Sequence, residues 1–343
     1  MKIETKLFKD IIKELEPAIL KSNEIPILTN ILLSNEYIQS YNSHIGCHIT
    51  TDVFSNLTEK ICVPFAKVRA FTFGAPTDSI EIEIEQDTMK LKSGRSSATV
   101  PIQSGNDFPD FESLIVTILE NSVDVSNDIY TGLKLCSLFT SKFGNRGVIH
   151  GVNLQSRKAQ ASDGKRIALY TFDEELPQVN MVISTDLIKA LTGSQFIYTD
   201  KDKIAIGKEN IIYFASIIQG DFPEVSKYFP EVKSYIKLPI EEMRASLKKI
   251  GDFSEDGTDA ARCKITFDKG IEIKYEGQTA HVQEFFDFGE KVKAKSYKLN
   301  PYHFEKLLQV CNVFSFTSVN NFDVLYGGTE DNKFKCIISL EKV

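Results

Sequence analysis

Gly105-Asn106-Asp107-Phe108-Pro109 recurs as Gly220-Asp221-Phe222-Pro223, and the two Phe-Pro pairs lie 114 residues apart, a third of the 343-residue chain. A third copy at the same spacing would fall near the end of the chain, just before Val343. An internal repeat outranks any single motif in deciding a fold. At this period each copy is a domain of ordinary size rather than a solenoid unit. The arithmetic predicts domains at 1–119, 120–235 and 236–343. No Gly/Ser-rich linker marks the boundaries, so rigid joints are expected.

Each third reads as helix, strands, helix, strands. In the first, Leu7, Phe8, Ile11, Ile12 and Leu15 recur at helical spacing over 5–16, and Pro17 ends the run. In the second, Ser126 is placed to cap a helix with Ile129, Leu133 and Cys136 on one stripe. In the third, Pro239 opens a helix with Ile240, Met243, Leu247 and Ile250 on one face. Second helices start after Pro64, at Ser184-Thr185 and at Asn300-Pro301. Elsewhere the period is two: Ser79-Ile80-Glu81-Ile82-Glu83-Ile84-Glu85, then Met89-Lys90-Leu91-Lys92, and later Ile271-Glu272-Ile273-Lys274-Tyr275. Such alternation predicts antiparallel strands with one buried face, and helices packed on these sheets make an α+β architecture.

With 42% apolar and 25% charged residues the chain is that of an ordinary soluble protein. No run approaches the roughly 18 apolar residues of a membrane span. The start, Met1-Lys2-Ile3-Glu4, has neither the apolar core of a secretory signal nor the character of a transit peptide. Six scattered cysteines without a Cys-x-x-Cys fit reduced, buried thiols and a cytoplasmic protein. The net charge of −7 argues against coating nucleic acid with the whole surface, though not against one basic face.

Phosphate-binding, dinucleotide, zincin and nucleophile-elbow motifs are all absent from the sequence, so no catalytic residue and no cofactor are expected. His44-Ile45-Gly46-Cys47-His48 is the one cluster with metal-ligand residue types. Read as a strand, it points His44 and His48 to one side and Cys47 to the other, so a structural strand with no metal is the expectation.

The segments flanking the repeat carry a family resemblance. Lys92-Ser93-Gly94-Arg95-Ser96 leading to Asn106-Asp107-Phe108-Pro109 resembles the end of the first domain of the bacterial DNA polymerase III beta subunits, the sliding clamps. Ser162-Asp163-Gly164-Lys165-Arg166-Ile167-Ala168 resembles that family's Thr-Asp-Gly-His-Arg-Leu-Ala turn in the second domain. Gly220-Asp221-Phe222-Pro223, with Pro230 seven residues on, is similar to the segment leaving that domain, and Ile25-Pro26-Ile27-Leu28 with Asn30 fits as well. The third domain and the C-terminus diverge most, as in a distant or phage-encoded member.

The resemblance implies three clamp domains and a head-to-tail homodimeric ring around double-stranded DNA, which tethers a replicative DNA polymerase and is placed by a clamp loader. Helix geometry agrees with a dimer: six helices ~9.5 Å apart close a circle only ~18 Å across, whereas twelve give ~36 Å, room for a hydrated duplex. Lys6, Lys9, Lys13, Lys67, Lys134, Arg146, Lys189, Arg244, Lys248 and Lys306 are the expected DNA-facing cations. Sequence-blind contact with phosphates needs cations and no base readers. A solvated helix face would carry the same residue types.

By resemblance a partner-peptide pocket takes Ile149, Ser162, Gly164, Lys165, Arg166, Ile167, Pro230, Asn300, His303, Ile337, Ile338, Ser339 and Leu340. Ile149, Ile167, Pro230 and Ile338 are expected as its apolar floor, and Arg166 and Asn300 at its rim. The family often has Tyr where His303 stands, and its Met-Pro-Met ending is absent here. The resemblance also puts Ser96, Ala98, Val100 and the helix ending at Ile250 at the dimer interface. Two other classes fit the bare residues: a non-enzymatic three-repeat structural or interaction protein, and a metal-dependent enzyme using His44 and His48.

Overall fold

The computed structural model describes residues 1–22, 24–141, 147–176, 179–232, 234–255, 260–268, 270–287 and 295–343. These residues form antiparallel sheets and seven α-helices: α1 (Thr5–Leu15), α2 (Phe65–Gly74), α3 (Glu112–Asn121), α4 (Asp128–Ser137), α5 (Thr185–Ala190), α6 (Ile240–Phe253) and α7 (Pro301–Val310). The α+β class read from the sequence holds. By compactness the chain divides into two units, Met1–Thr131 with Ile183–Ile218, and Gly132–Val182 with Gln219–Val343.

The first unit holds a four-stranded sheet in the order Lys2–Glu4, Ser79–Glu85, Thr88–Ser93, Ser96–Pro101. Its register sets Ile82 against Leu91 and Ile84 against Met89. Ile80, Ile82, Met89 and Leu91 are buried while the intervening Glu81 and Glu83 are exposed, as the alternation demands. Ser96–Pro101 is paired on one side only, so the sheet ends there in an open edge. A nine-stranded sheet also lies in this unit. In it Ile211–Ser216 pairs with Ile45–Thr50, which joins two segments some 160 residues apart.

In α1 the buried side is Thr5, Phe8, Ile11, Ile12 and Leu15. Leu7 departs from expectation and is 47% exposed. It precedes Phe8 and so sits about 100° round the helix from the centre of the stripe. Helix α3 was not expected from the sequence. Asp110 Oδ1 accepts the Glu112 N–H at 2.9 Å to start it, and Ile115 and Ile118 pack on Tyr198, Ala205, Ile212 and Phe214.

In the second unit, Lys158–Ser162, Arg166–Thr171, Phe334–Ser339 and Phe322–Gly328 are neighbours within a seven-stranded sheet. A five-stranded sheet runs His281–Asp287, Gly270–Glu276, Cys263–Phe267, Lys295–Leu299, Glu341–Lys342. Met243, Leu247 and Ile250 of α6 and Phe304, Leu307 and Leu308 of α7 are buried as the stripes predict. The two helices are pinned together where Tyr302 Oη donates to the Gly251 carbonyl at 2.7 Å. A Cβ at Gly251 would lie 2.8 Å from the Tyr302 ring, so this close approach needs glycine.

All six cysteines are buried and free. Burial pushes the Cys62 and Cys263 thiols up to about 12, which leaves them inert as nucleophiles.

Candidate functional site

The Asp-Gly turn joins Lys158–Ser162 to Arg166–Thr171 in the second unit. Asp163 organises it: Oδ1 accepts the Lys165 N–H at 2.8 Å and the Arg166 N–H at 2.7 Å, and Oδ2 accepts Arg166 Nε–H at 2.7 Å. Ser162 Oγ accepts the Gly164 N–H at 3.1 Å, and Gly164 has φ +87°, where a side chain would be strained. The Arg166 guanidinium also lies 5.3 Å from the centre of the Phe139 ring. Its side chain is only 6% exposed. Arg166 therefore does not stand at a rim as expected. It is a buried, charge-paired group that sets the turn, and exposing it would strip it of Asp163.

Beside the turn lies an apolar cluster. Val324, Tyr326 and Ile337 form its buried base, with Ile167, Phe229, Val232 and Val319 packed on them and partly open to solvent. Ile167 is in register with Ile337, while Arg166 is in register with Ile338. Successive strand residues face opposite sides, so the apolar surface next to Ile167 belongs to Ile337. Ile338, expected in the floor, is turned to the other side and is 3% exposed. Phe229 and Val232, on either side of half-buried Pro230, supply the contacts expected of Pro230. Ile149 is half-buried outside this cluster, and its carbonyl accepts the Ser141 N–H at 2.9 Å. Tyr235, 51% exposed, lies 6.4 Å ring to ring from Tyr326, an aromatic margin that the sequence reading missed.

Asn300 also departs from the rim. It is buried and caps α7, its Oδ1 accepting the His303 N–H at 3.1 Å. His303 is half-buried, and burial, reinforced by the Arg166 charge, drives its imidazole down to about 3, so it is neutral. Exposed Ser339 donates its N–H to the Lys165 carbonyl at 3.0 Å. Buried Leu340 donates to the Asp323 carbonyl at 3.0 Å, and Glu341–Lys342 then joins the five-stranded sheet.

The cations expected to face DNA all fall on helices, except Arg146, which lies outside the described residues. On α1, Lys6 and Lys13 are exposed and Lys9 half-buried, with Lys13 3.0 Å from Asp10. Lys67 on α2 and Lys248 on α6 are exposed. Lys189 on α5 is exposed and 3.1 Å from Asp186. Lys134 on α4 is half-buried, and burial lowers its pKa. Arg244 and Lys306 both lie near Glu305, at 3.3 and 3.8 Å, which offsets part of their charge. Exposed pairs such as Lys13–Asp10 are worth little and can be exchanged for phosphate contacts.

Of the expected interface residues, Ser96 is exposed, Ala98 half-buried and Val100 buried, all on the open edge strand. Ile250 is fully buried in its own unit and has no side-chain surface to offer a partner. Phe253, at the end of the same helix, is 50% exposed. The open edge of the five-stranded sheet is His281–Asp287, on which Phe285 is 64% exposed.

His44 is exposed ahead of the strand Ile45–Thr50. The Gln39 amide N–H donates to His48 Nδ1 at 2.8 Å, leaving the Nε2–H for Thr50 Oγ1 at 3.3 Å. Both ring nitrogens are thus engaged, and burial drops the imidazole to about 4. No group of three His, Cys, Asp or Glu arranged to hold a metal occurs among the described residues. A histidine whose folded pKa lies below its unfolded value binds fewer protons folded than unfolded. Stability contributed by neutral His48 is therefore full above pH 6.5 and is lost as pH falls toward 4. Between pH 8 and pH 6 the expected loss is on the order of 1 kcal/mol, and His48→Gln should flatten that part of the pH–stability curve. Urea denaturation at the two pH values checks this; an identical slope in the variant contradicts it.

No protein-family model matches the chain. The chain is 23% identical over 281 residues to the beta sliding clamp of Chlamydia pneumoniae, covering 74% of each chain. It is 24% identical over 228 residues to that of Pseudomonas aeruginosa, covering 60% of this chain and 61% of the relative. The solved DNA polymerase III beta chain of Streptococcus pneumoniae superposes with a TM-score of 0.81 at 16% identity, over 100% of this chain and 99% of that one. The sliding clamp of Bartonella birtlesii, solved bound to griselimycin, does so with a TM-score of 0.83 at 13% identity and the same coverage. The chain therefore has the DNA clamp fold along its whole length.

Proposed function

We propose that this protein is a DNA sliding clamp: a non-enzymatic processivity factor that encircles duplex DNA as a head-to-tail homodimer and tethers the replicative DNA polymerase. The likeness to clamp structures over 100% of the chain is the observation that carries this reading. The three thirds, 1–119, 120–235 and 236–343, are then clamp domains, and a clamp loader places the ring in the cytoplasm. No helix among the described residues is long and apolar enough to cross a membrane.

The reading needs three things of the side chains. Cations on the helices hold a phosphate backbone without reading bases. The apolar cluster around Ile167 and Ile337 takes a short partner peptide. Strand edges join the copies. An unpaired edge is a ready template for another chain, and among the sheet edges of the two units are Ser96–Pro101 in the first and His281–Asp287 in the second. Pairing the first edge of one copy with the second edge of the other is a heterologous contact, made twice in a closed dimer. Small Ala98 on that edge favours a weaker interface than an aromatic residue would.

Native mass measurement at micromolar concentration tests the assembly, with a species near twice 38.6 kDa expected. Phe285→Asp, at a 64% exposed position, should shift the protein to monomer without unfolding it. A monomeric wild-type protein contradicts the reading.

A further inference from the structure

An open cavity of about 850 Å³ lies against the five-stranded sheet of the second unit. Lys274, Lys264 and Lys298 line it and stand directly opposite one another on three adjacent strands. Like charges placed opposite each other destabilise a sheet. Glu341, in register with Lys298 on the last strand, puts one anion at the end of the row, so the uncompensated cost lies between Lys274, Lys264 and Lys298. Lys274 is partly neutralised by Glu272 at 3.0 Å, and nearby Arg262 by Glu341 at 3.8 Å. Lys264 and Lys298 have no carboxylate within 4 Å among the described residues.

The cavity is not uniformly basic. Glu255, Glu276 and Glu341 also line it. Glu255 is already engaged, accepting the backbone N–H groups of Gln278 at 3.1 Å and Thr279 at 2.6 Å.

We propose that this cavity binds an acidic peptide segment of a partner protein, with side-chain carboxylates on Lys264 and Lys298. Size favours a peptide, because the volume is that of a small-ligand or peptide cleft and a duplex does not enter it. Charge distribution favours it too. A nucleic-acid backbone carries a charge at every nucleotide and meets Glu276 and Glu341, whereas a peptide can set neutral amide N–H groups against them. Adjacent strands lie about 4.8 Å apart, so one short segment reaches both lysines. Its lining residues are not those of the apolar groove around Ile167.

Fluorescence anisotropy with labelled hexaglutamate, in buffer of low ionic strength, tests the proposal. Wild type should bind at least tenfold more tightly than the Lys264→Gln/Lys298→Gln double variant, while a variant at exposed Lys201, Lys201→Gln, binds like wild type. Thermal melting supplies an independent readout. Relief of the lysine row should raise the Tm of the double variant by about 1–2 °C, so binding and stability move in opposite directions. Equal hexaglutamate affinity in wild type and double variant overturns the proposal. So does oligothymidine binding more tightly than hexaglutamate with the same lysine dependence, which would make the site one for nucleic acid. A double variant that melts below wild type also counts against it, because the lysines would then be serving the fold.

Discussion

Ile167→Ala should weaken binding of a cognate polymerase peptide by roughly tenfold to a hundredfold, about 1–3 kcal/mol, while leaving the native mass unchanged. Ile167 is half-buried on a base of Ile337, Val324 and Tyr326, so its outer surface is open to a ligand while its inner surface is already packed. An apolar anchor seated there is desolvated on several sides, and a few such contacts carry most of the energy of a peptide interface. Truncation removes that contact without leaving a charge unpaired. Arg166 is a poorer probe: losing it removes the Nε–H bond to Asp163 Oδ2 and loosens the turn before any peptide arrives. Deleting residues 338–343 is poorer still. Ile338 belongs to the interior, and Glu341–Lys342 holds the edge of the five-stranded sheet, so the deletion removes structure along with the site. A titration of peptide against wild type and Ile167→Ala checks the assignment, and unchanged affinity would move the partner site elsewhere.

Much of the fold was legible because local patterns agreed with the global arrangement. Ser184 accepts the Leu187 N–H and Asn300 caps α7, where the helix-start signals had placed them. The alternation over Ser79–Glu85 and its partner Thr88–Ser93 is realised residue by residue. The pairing of Arg166–Thr171 with Phe334–Ser339 was not legible, since no local period encodes a partner so far along the chain. The same limit explains Ile338. Alternation says that neighbours face opposite sides, but which side becomes the groove depends on the strand it pairs with. Arg166 and Asn300 look like recognition residues in a sequence, yet one is spent on Asp163 and the other on a helix end. Helix α3 escaped notice because Ile115, Val116, Ile118 and Leu119 form adjacent apolar pairs, and half of each pair, Val116 and Leu119, remains exposed.

Retention on circular DNA is the expected behaviour with the largest contrast. With a net charge of −7, open contact with duplex should be weak, indifferent to sequence and lost as salt rises. In the proposed ring, helix cations such as Lys9 and Lys248 would act only on DNA inside it. Once a loader has closed the proposed dimer around a circular duplex, dissociation would require opening one of its two strand-edge interfaces, and salt that screens the cations would leave both in place. Charge reversal of Lys9 and Lys13 should reduce loading or sliding without unfolding the protein. The decisive measurement is release after linearisation: protein loaded on a closed circle is washed in high salt, the circle is cut once, and the bound fraction is followed. The account predicts that the protein survives the wash on the circle and slides off after the cut; equal retention on cut and uncut DNA would contradict it.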